Sequence, residues 1–371
     1  MRPRLRPDLS WADLASVLAP PPETEGLNAR IARLAPPGVH VVVGLSVRTL
    51  FDALLSEINQ DAPVAFSGMT IAHMPEIARA HGRRVEAWDL NLTDLSVRPG
   101  AADGRVVVIA QLYGRRPALP PLPGAALVIE DCAQAFAGSL DVGEGADVTL
   151  WSFGPIKTAT ALGGAVAVLR DADLAARLRA RLAAYPPLPE AWLRKRALRT
   201  AALKMWATPL GTGLTLNLLD LAGRDADAVL GGAARGFPGA EVPQAFRRAP
   251  PAVLVALLAR RLEGWAPPSS DAQVDAAARA LGSPGAEAPG RWWLLPVLTA
   301  RPDALVSALR SRGQDATRGA TSMRPVADEG GRTPPNAARL AAEVVYLPKP
   351  GTAAQAGRLI ADVRLSRARP D

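Results

Sequence analysis

Two short segments of the 371-residue chain carry residue types that could do covalent chemistry together. The first reads Val128-Ile129-Glu130-Asp131-Cys132-Ala133-Gln134-Ala135, an apolar run that ends on carboxylates. The second reads Trp151-Ser152-Phe153-Gly154-Pro155-Ile156-Lys157 and leads into Gly163-Gly164. A carboxylate at the end of a buried strand is costly unless a positive group lies beside it. A lysine on a turn between the following two strands can reach the same cleft. Such a pair suits catalysis with pyridoxal 5′-phosphate. The lysine forms a Schiff base with the cofactor aldehyde, and the carboxylate keeps the ring nitrogen protonated so that the ring draws electrons. Taken singly, the residues have plainer roles. Asp131 could cap the next helix, Lys157 could sit on a surface turn, and Gln134 and Ser152 could satisfy local backbone groups.

The elements that must position this pair can be read from the apolar pattern. Short β-branched or apolar runs at 40–43, 63–66, 85–88, 106–110, 126–129, 148–152 and 165–169 predict strands. Ser46 precedes a 3.6-residue stripe through Leu50, Leu54 and Ile58, so it is expected to cap a helix there. Thr70 is expected to cap another helix, ending near Gly82. Short strands alternating with helices indicate a mostly parallel sheet covered on both faces. Reactive groups then belong at the carboxyl ends of the strands. After residue 172 the texture changes. Helices are expected near 173–184, 190–206, 250–265 and 301–312, a strand at 292–298, and a helix, strand and helix over 334–367.

The strings IEDCAQAFAG and SFGPIKTATALGGAVAV resemble the two main signatures of the DegT/DnrJ/EryC1/StrS-type sugar aminotransferases. The segment Gln111-Leu112-Tyr113-Gly114-Arg115 and the stretch around Asp89 are similar to two further family segments. The resemblance is clear over about 40–170. It implies a fold type I pyridoxal phosphate enzyme: a large α/β domain with a seven-stranded, mostly parallel sheet and a small C-terminal α+β domain. It further implies a homodimer with the active site between subunits. Lys157 would be the Schiff-base lysine, Asp131 the partner of the pyridine nitrogen, Gln134 a contact of the ring hydroxyl and Ser152 a phosphate ligand. The reaction implied is amino transfer to a keto-sugar, nucleotide-activated, from a donor such as glutamate.

The sequence departs from the family pattern at several places. Where the family has Ser-Gly-Thr at a helix N-terminus, this chain has Ser46-Val47-Arg48-Thr49. The backbone N–H groups can still cradle a phosphate, and Arg48 adds a charge. Ile71 stands where an aromatic residue usually covers the ring, with His73 nearby as a residue that could stack on it. The family's Asn-x-Arg motif aligns near Phe246-Arg247-Arg248, without its asparagine. Dehydration on the same scaffold, transamination of a lipid-linked substrate and a non-catalytic member of the fold are the alternatives. Dehydrating relatives tend to carry histidine in place of the lysine, which favours transfer.

Composition bounds the rest. With 49% hydrophobic and 21% charged residues the chain is globular. Its one cysteine, Cys132, excludes an internal disulfide, and its three histidines are too scattered for a metal site. The lysines are Lys157, Lys195, Lys204 and Lys349, so the net charge of +8 is mostly arginine. A nucleic-acid partner is not expected from that charge. No signal peptide is expected, and a cytoplasmic protein follows. The expected division is an arm and large domain over 1–185, a helical connection over 186–240 and a small domain over 241–371. The basic residues Arg194, Lys195, Arg196, Arg199 and Lys204, followed by the apolar stretch 205–221, could meet a membrane surface or form a packed or dimer-facing helix.

Overall fold

A computed structural model describes residues 8–19, 26–206, 246–267 and 271–368. The first half contains α1 (Trp11–Ser16), α2 (Leu27–Ala32), β1 (His40–Gly44), α3 (Val47–Glu57), β2 (Val64–Ser67), β3 (Met69–Ile71) and α4 (His73–Ala80). It continues with β4 (Val85–Trp88), β5 (Val106–Ala110), β6 (Leu127–Asp131), β7 (Val148–Ser152), β8 (Ala165–Leu169), α5 (Ala172–Ala183) and α6 (Glu190–Trp206). Seven strands form one sheet in the order β1-β8-β7-β6-β5-β2-β4. The pairs from β4 through β7 are parallel, and β8 runs antiparallel to both β7 and β1. All strands except β8 therefore deliver their carboxyl ends to one edge.

The period of two along each strand divides the core. Val106, Val108, Leu127, Ile129, Val148 and Leu150 face α3, α4 and α5. Trp151, Val166 and Val168 face the opposite side, where α1, α2 and α6 pack. Near-continuous apolar strands follow from burial on both faces.

The later elements are α7 (Ala252–Gly264), α8 (Ala272–Leu281), β9 (Leu295–Leu298), α9 (Pro302–Ser311), β10 (Met323–Pro325), α10 (Pro335–Glu343), β11 (Val344–Leu347) and α11 (Ala353–Ala368). β9 and β11 pair antiparallel and share a core with α8, α9 and α11. That core also takes in Leu112 and Tyr113 from the loop after β5. α7 instead buries Val253, Leu254 and Leu258 among N-terminal residues, on the α6 side of the sheet. A division drawn at 241 thus leaves this helix packed on the elements before it.

Two sequence expectations are corrected. Thr70 does not cap a helix; it lies in β3, opposite Arg324 of β10, and α4 starts after Ala72 with no side-chain cap. The strand expected over 292–298 is confined to Leu295–Leu298, because Trp293 binds the Tyr113 carbonyl instead of a ladder partner. α1, α2 and the short strands β3 and β10 are too short for a pattern to be read from the sequence; α8 does place Val274, Ala277, Ala278 and Leu281 at i, i+3, i+4 and i+7, a stripe made faint by its alanines. Among the described residues no helix is long and apolar enough to cross a membrane.

Gly114 joins the two halves. Its φ is +90°, and a Cβ there would collide with the Arg291 carbonyl oxygen and sit 2.5 Å from the Trp293 nitrogen. Gly114→Ala should cost roughly 3 kcal/mol or more of stability. Gly104→Ala, at φ +68° with open space around it, should cost only about 1–2 kcal/mol. Denaturant unfolding of the two variants measures the difference.

Candidate active site

Pleating brings Ala110, Asp131 and Ser152 to the same face at the ends of three adjacent parallel strands, with Ala110 directly opposite Asp131. Asp131 is 6% exposed. One of its oxygens accepts the Ala133 N–H at 3.0 Å. Its neighbour Glu130 points through the sheet the other way. There it accepts from Arg116 at 2.9 and 2.6 Å, from Gln111 at 2.7 Å and from the Thr149 hydroxyl at 3.2 Å. Burial pushes Glu130 up, but the Arg116 guanidinium and the Gln111 and Thr149 donors outweigh it and hold the carboxyl below its ordinary range. Asp131 has no such network. Burial pushes its pKa up to about 6, against the pull of the Ala133 N–H and the Lys157 charge.

Lys157 lies in the loop after β7, where its N–H donates to the Gly154 carbonyl at 3.0 Å. The loop is fastened on several sides. The Phe153 carbonyl accepts from Ala161 and Gly163, and Gly164 donates to Leu45. Leu162 has φ +65°, and its carbonyl accepts from Arg196 of α6 at 2.7 Å. The Lys157 Nζ stands 4.4 Å from the centre of the Trp293 ring. Burial lowers the Lys157 pKa to about 8; the Asp131 charge opposes that fall and the Arg48 charge adds to it.

A cavity of about 210 Å3 opens beside this pair. Ser46, Val47, Arg48, His73, Asp131, Gln134, Ser152 and Lys157 all line it, so the candidate residues from four stretches of chain converge. Ser46 caps α3, accepting the Thr49 N–H at 3.2 Å. Arg48 meets His73 Nδ1 at 3.3 Å, and burial lowers its pKa to about 10. His73 sits edge-on to Phe246, with ring centres 5.4 Å apart. Gln134 uses its carbonyl oxygen to accept the Tyr113 N–H at 2.9 Å, while its amide nitrogen faces Met323 Sδ at 3.0 Å. Asp89 lies away from the cavity, where its carboxylate accepts from the first backbone N–H groups of α10.

Arg247 turns away from the cavity and binds Asp52 of its own chain. In α6, Arg196 likewise faces inward, over the Trp192 ring, while Arg194 pairs with Glu190. Residues 207–221 of the apolar stretch lie outside the described residues.

Sequence reasoning missed the wall opposite the strand ends. Trp293, Thr321, Ser322 and Met323 line the cavity from the C-terminal half. The Trp293 indole N–H donates to the Ile156 carbonyl at 2.8 Å, one residue from Lys157. The adjacent pair Trp292-Trp293, in a chain that is 5% aromatic, was the available signal. Thr321 to Met323 carried none.

The sequence profile of the DegT/DnrJ/EryC1/StrS aminotransferase family matches residues 107–217, the segment that contains Asp131 and Lys157. That family is one of transferases. No curated protein matches by sequence. Among solved structures, a sugar aminotransferase from Micromonospora echinospora superposes with a TM-score of 0.60 at 18% identity, covering 98% of this chain and 100% of that one. An aminotransferase from Streptoalloteichus hindustanus gives 0.61 at 17% identity, covering 99% and 98%. A GDP-4-keto-6-deoxymannose-3-dehydratase gives 0.60 at 10% identity, covering 98% and 100%. These likenesses establish the α/β fold with its large, mostly parallel sheet.

The perturbed carboxylate has a measurable consequence. The folded pKa of Asp131, about 6, lies above the ordinary aspartate value of 3.8. Burial therefore destabilises the ligand-free protein above pH 6, and the penalty vanishes below about pH 4. Asp131→Asn keeps an oxygen for the Ala133 N–H and removes the charge. It should stabilise the ligand-free protein at pH 7 by roughly 2–3 kcal/mol, with the gain lost at pH 3.5. Unfolding curves at the two pH values check it.

Proposed function

We propose that this chain is a pyridoxal 5′-phosphate-dependent aminotransferase acting on the keto group of a nucleotide-activated sugar, with glutamate as the amino donor. The observation that carries the reading is the convergence of buried Asp131 and half-buried Lys157 on one cavity.

The residues present fit the cofactor. An amine with a pKa of about 8 is a competent nucleophile toward an aldehyde near neutral pH. A carboxyl pushed up to about 6 gains from a protonated ring nitrogen, which would hold it ionised. Ser46, the backbone of Val47 and Arg48, the Arg48 guanidinium and Ser152 would take the phosphate; Gln134 would offer its amide N–H to the ring hydroxyl. When bound, the cofactor supplies an electron sink for bonds at the substrate's α-carbon.

The chain's own groups do the rest. Asp131 fixes the charge of the ring nitrogen. The Lys157 amine would move a proton between the substrate's α-carbon and the cofactor C4′, in one direction with the donor and in the other with the acceptor, and its lowered pKa leaves it partly unprotonated at neutral pH. Trp293 covers the side of Nζ away from the strand ends and excludes water there. The fold is shared with a dehydratase, so the choice of amino transfer is supported by Lys157 itself. The family of the matched segment supports a sugar acceptor. A soluble nucleotide-linked substrate is favoured over a lipid-linked one because Arg196 points into the protein and Arg194 is paired. The same reading includes a homodimer, a small C-terminal domain and a cytoplasmic location.

Borohydride treatment of the protein loaded with pyridoxal phosphate should fix the cofactor to Lys157, as peptide mapping would locate it. An adduct on Lys195, Lys204 or Lys349, or none, contradicts the assignment. With a keto-sugar nucleotide and glutamate the loaded protein should release 2-oxoglutarate. Asp131→Asn should retain some cofactor and slow that release by about 100-fold or more.

A further inference from the structure

Arg48 is held against the cavity by a polar cluster around Asp52, one turn further along α3. Asp52 is fully buried. It accepts from Arg247 Nε at 2.9 Å and Nη2 at 3.1 Å, from His81 Nε2 at 2.9 Å and from the Tyr185 hydroxyl at 3.2 Å. Arg247 is the next residue after Phe246, and Phe246 is what Arg48 rests on. The Arg48 guanidinium carbon lies 4.8 Å from the centre of the Phe246 ring. The Phe246 carbonyl accepts the Thr49 hydroxyl at 2.9 Å, and Thr49 in turn touches the Ser46 cap at 2.9 Å. His73 meets the guanidinium at 3.3 Å.

An ion pair whose carboxylate is buried but whose arginine side chain is 41% exposed adds little stability, because solvent screens it. It does fix geometry. Here it pins residues 246–248, which are distant in sequence, beneath the first turn of α3. An arginine that recognises a phosphate must present its planar fork in a set direction, and ordering it beforehand raises affinity.

We infer that the Asp52–Arg247 ion pair is a positioning device for an anion-binding arginine: through Phe246 it aims Arg48 at the phosphate monoester of the cofactor. The inference rests on the proposed cofactor reading, and it assigns positioning roles to Asp52, Arg247 and Phe246.

The test compares binding of pyridoxal phosphate with that of pyridoxal, which has the aldehyde and no phosphate. Each protein serves as its own control, because partial unfolding weakens both ligands alike. Arg247→Gln should weaken pyridoxal phosphate by about tenfold and leave pyridoxal within about twofold. Arg247→Lys should recover part of the loss. Combining Arg247→Gln with Arg48→Gln should weaken pyridoxal phosphate no further than Arg48→Gln alone, because both act through one guanidinium. If Arg247→Gln does not fold, Phe246→Leu carries the same expectation, since it keeps the carbonyl and removes the ring. An equal loss for both ligands, fully additive losses, or no change in the ratio overturns the inference while leaving the site intact. Failure of the wild-type protein to bind either ligand overturns the cofactor reading, and this inference with it.

Discussion

Two ionisable groups of opposite sign, buried Asp131 and half-buried Lys157, share one cavity at the carboxyl edge of the sheet, and desolvation disfavours the charged form of each. Asp131 is raised and Lys157 lowered, although their mutual attraction works against both shifts. An apolar sheet end would be easier to fold. The arrangement becomes favourable when a ligand brings a positive nitrogen to the carboxylate and an electrophilic carbon to the amine. The site thus stores a polarity that its own groups do not fully neutralise, whereas the neighbouring Glu130 is answered on the spot by Arg116, Gln111 and Thr149.

The fold makes this possible through three separate supports. Parallel strands with period-two side chains bring Ala110, Asp131 and Ser152 to one face. The loop after β7 is tied by its own backbone and by Arg196, which fixes the lysine backbone. The C-terminal half then supplies Trp293 and the stretch around Met323 as the facing wall, docked through close backbone contact at Gly114 and through the pairing of β3 with β10. Charge comes from the sheet side and apolar cover from the other. That division suits a planar cofactor whose ring must be held dry.

Much of this was legible in the residues. The strands of the large sheet carry long apolar runs that local pattern decides, and Asp131 and Lys157 stand out because their types conflict with burial. What escaped was decided by contacts distant in sequence. Thr70 has the look of a helix cap, but Arg324 captures its backbone as a strand. Trp293 reads as a strand residue, yet the Tyr113 carbonyl and Ile156 carbonyl hold it as a cavity wall. Nothing in the sequence marks Arg247, the middle position of the aligned motif, as a partner for the buried Asp52, itself unremarkable on an amphipathic helix. Basic residues along α6 read alike in sequence, and only packing separates the inward Arg196 from its neighbours.

The central claim is that Asp131 and Lys157 form the two poles of one cofactor site. A crystal structure of the protein with pyridoxal phosphate tests it most directly. The account predicts electron density continuous from the Lys157 side chain into the cofactor, with the ring nitrogen against the Asp131 carboxylate and the phosphate beside Ser46 and Arg48. A cofactor bound elsewhere, or one whose ring nitrogen faces away from Asp131, would contradict it.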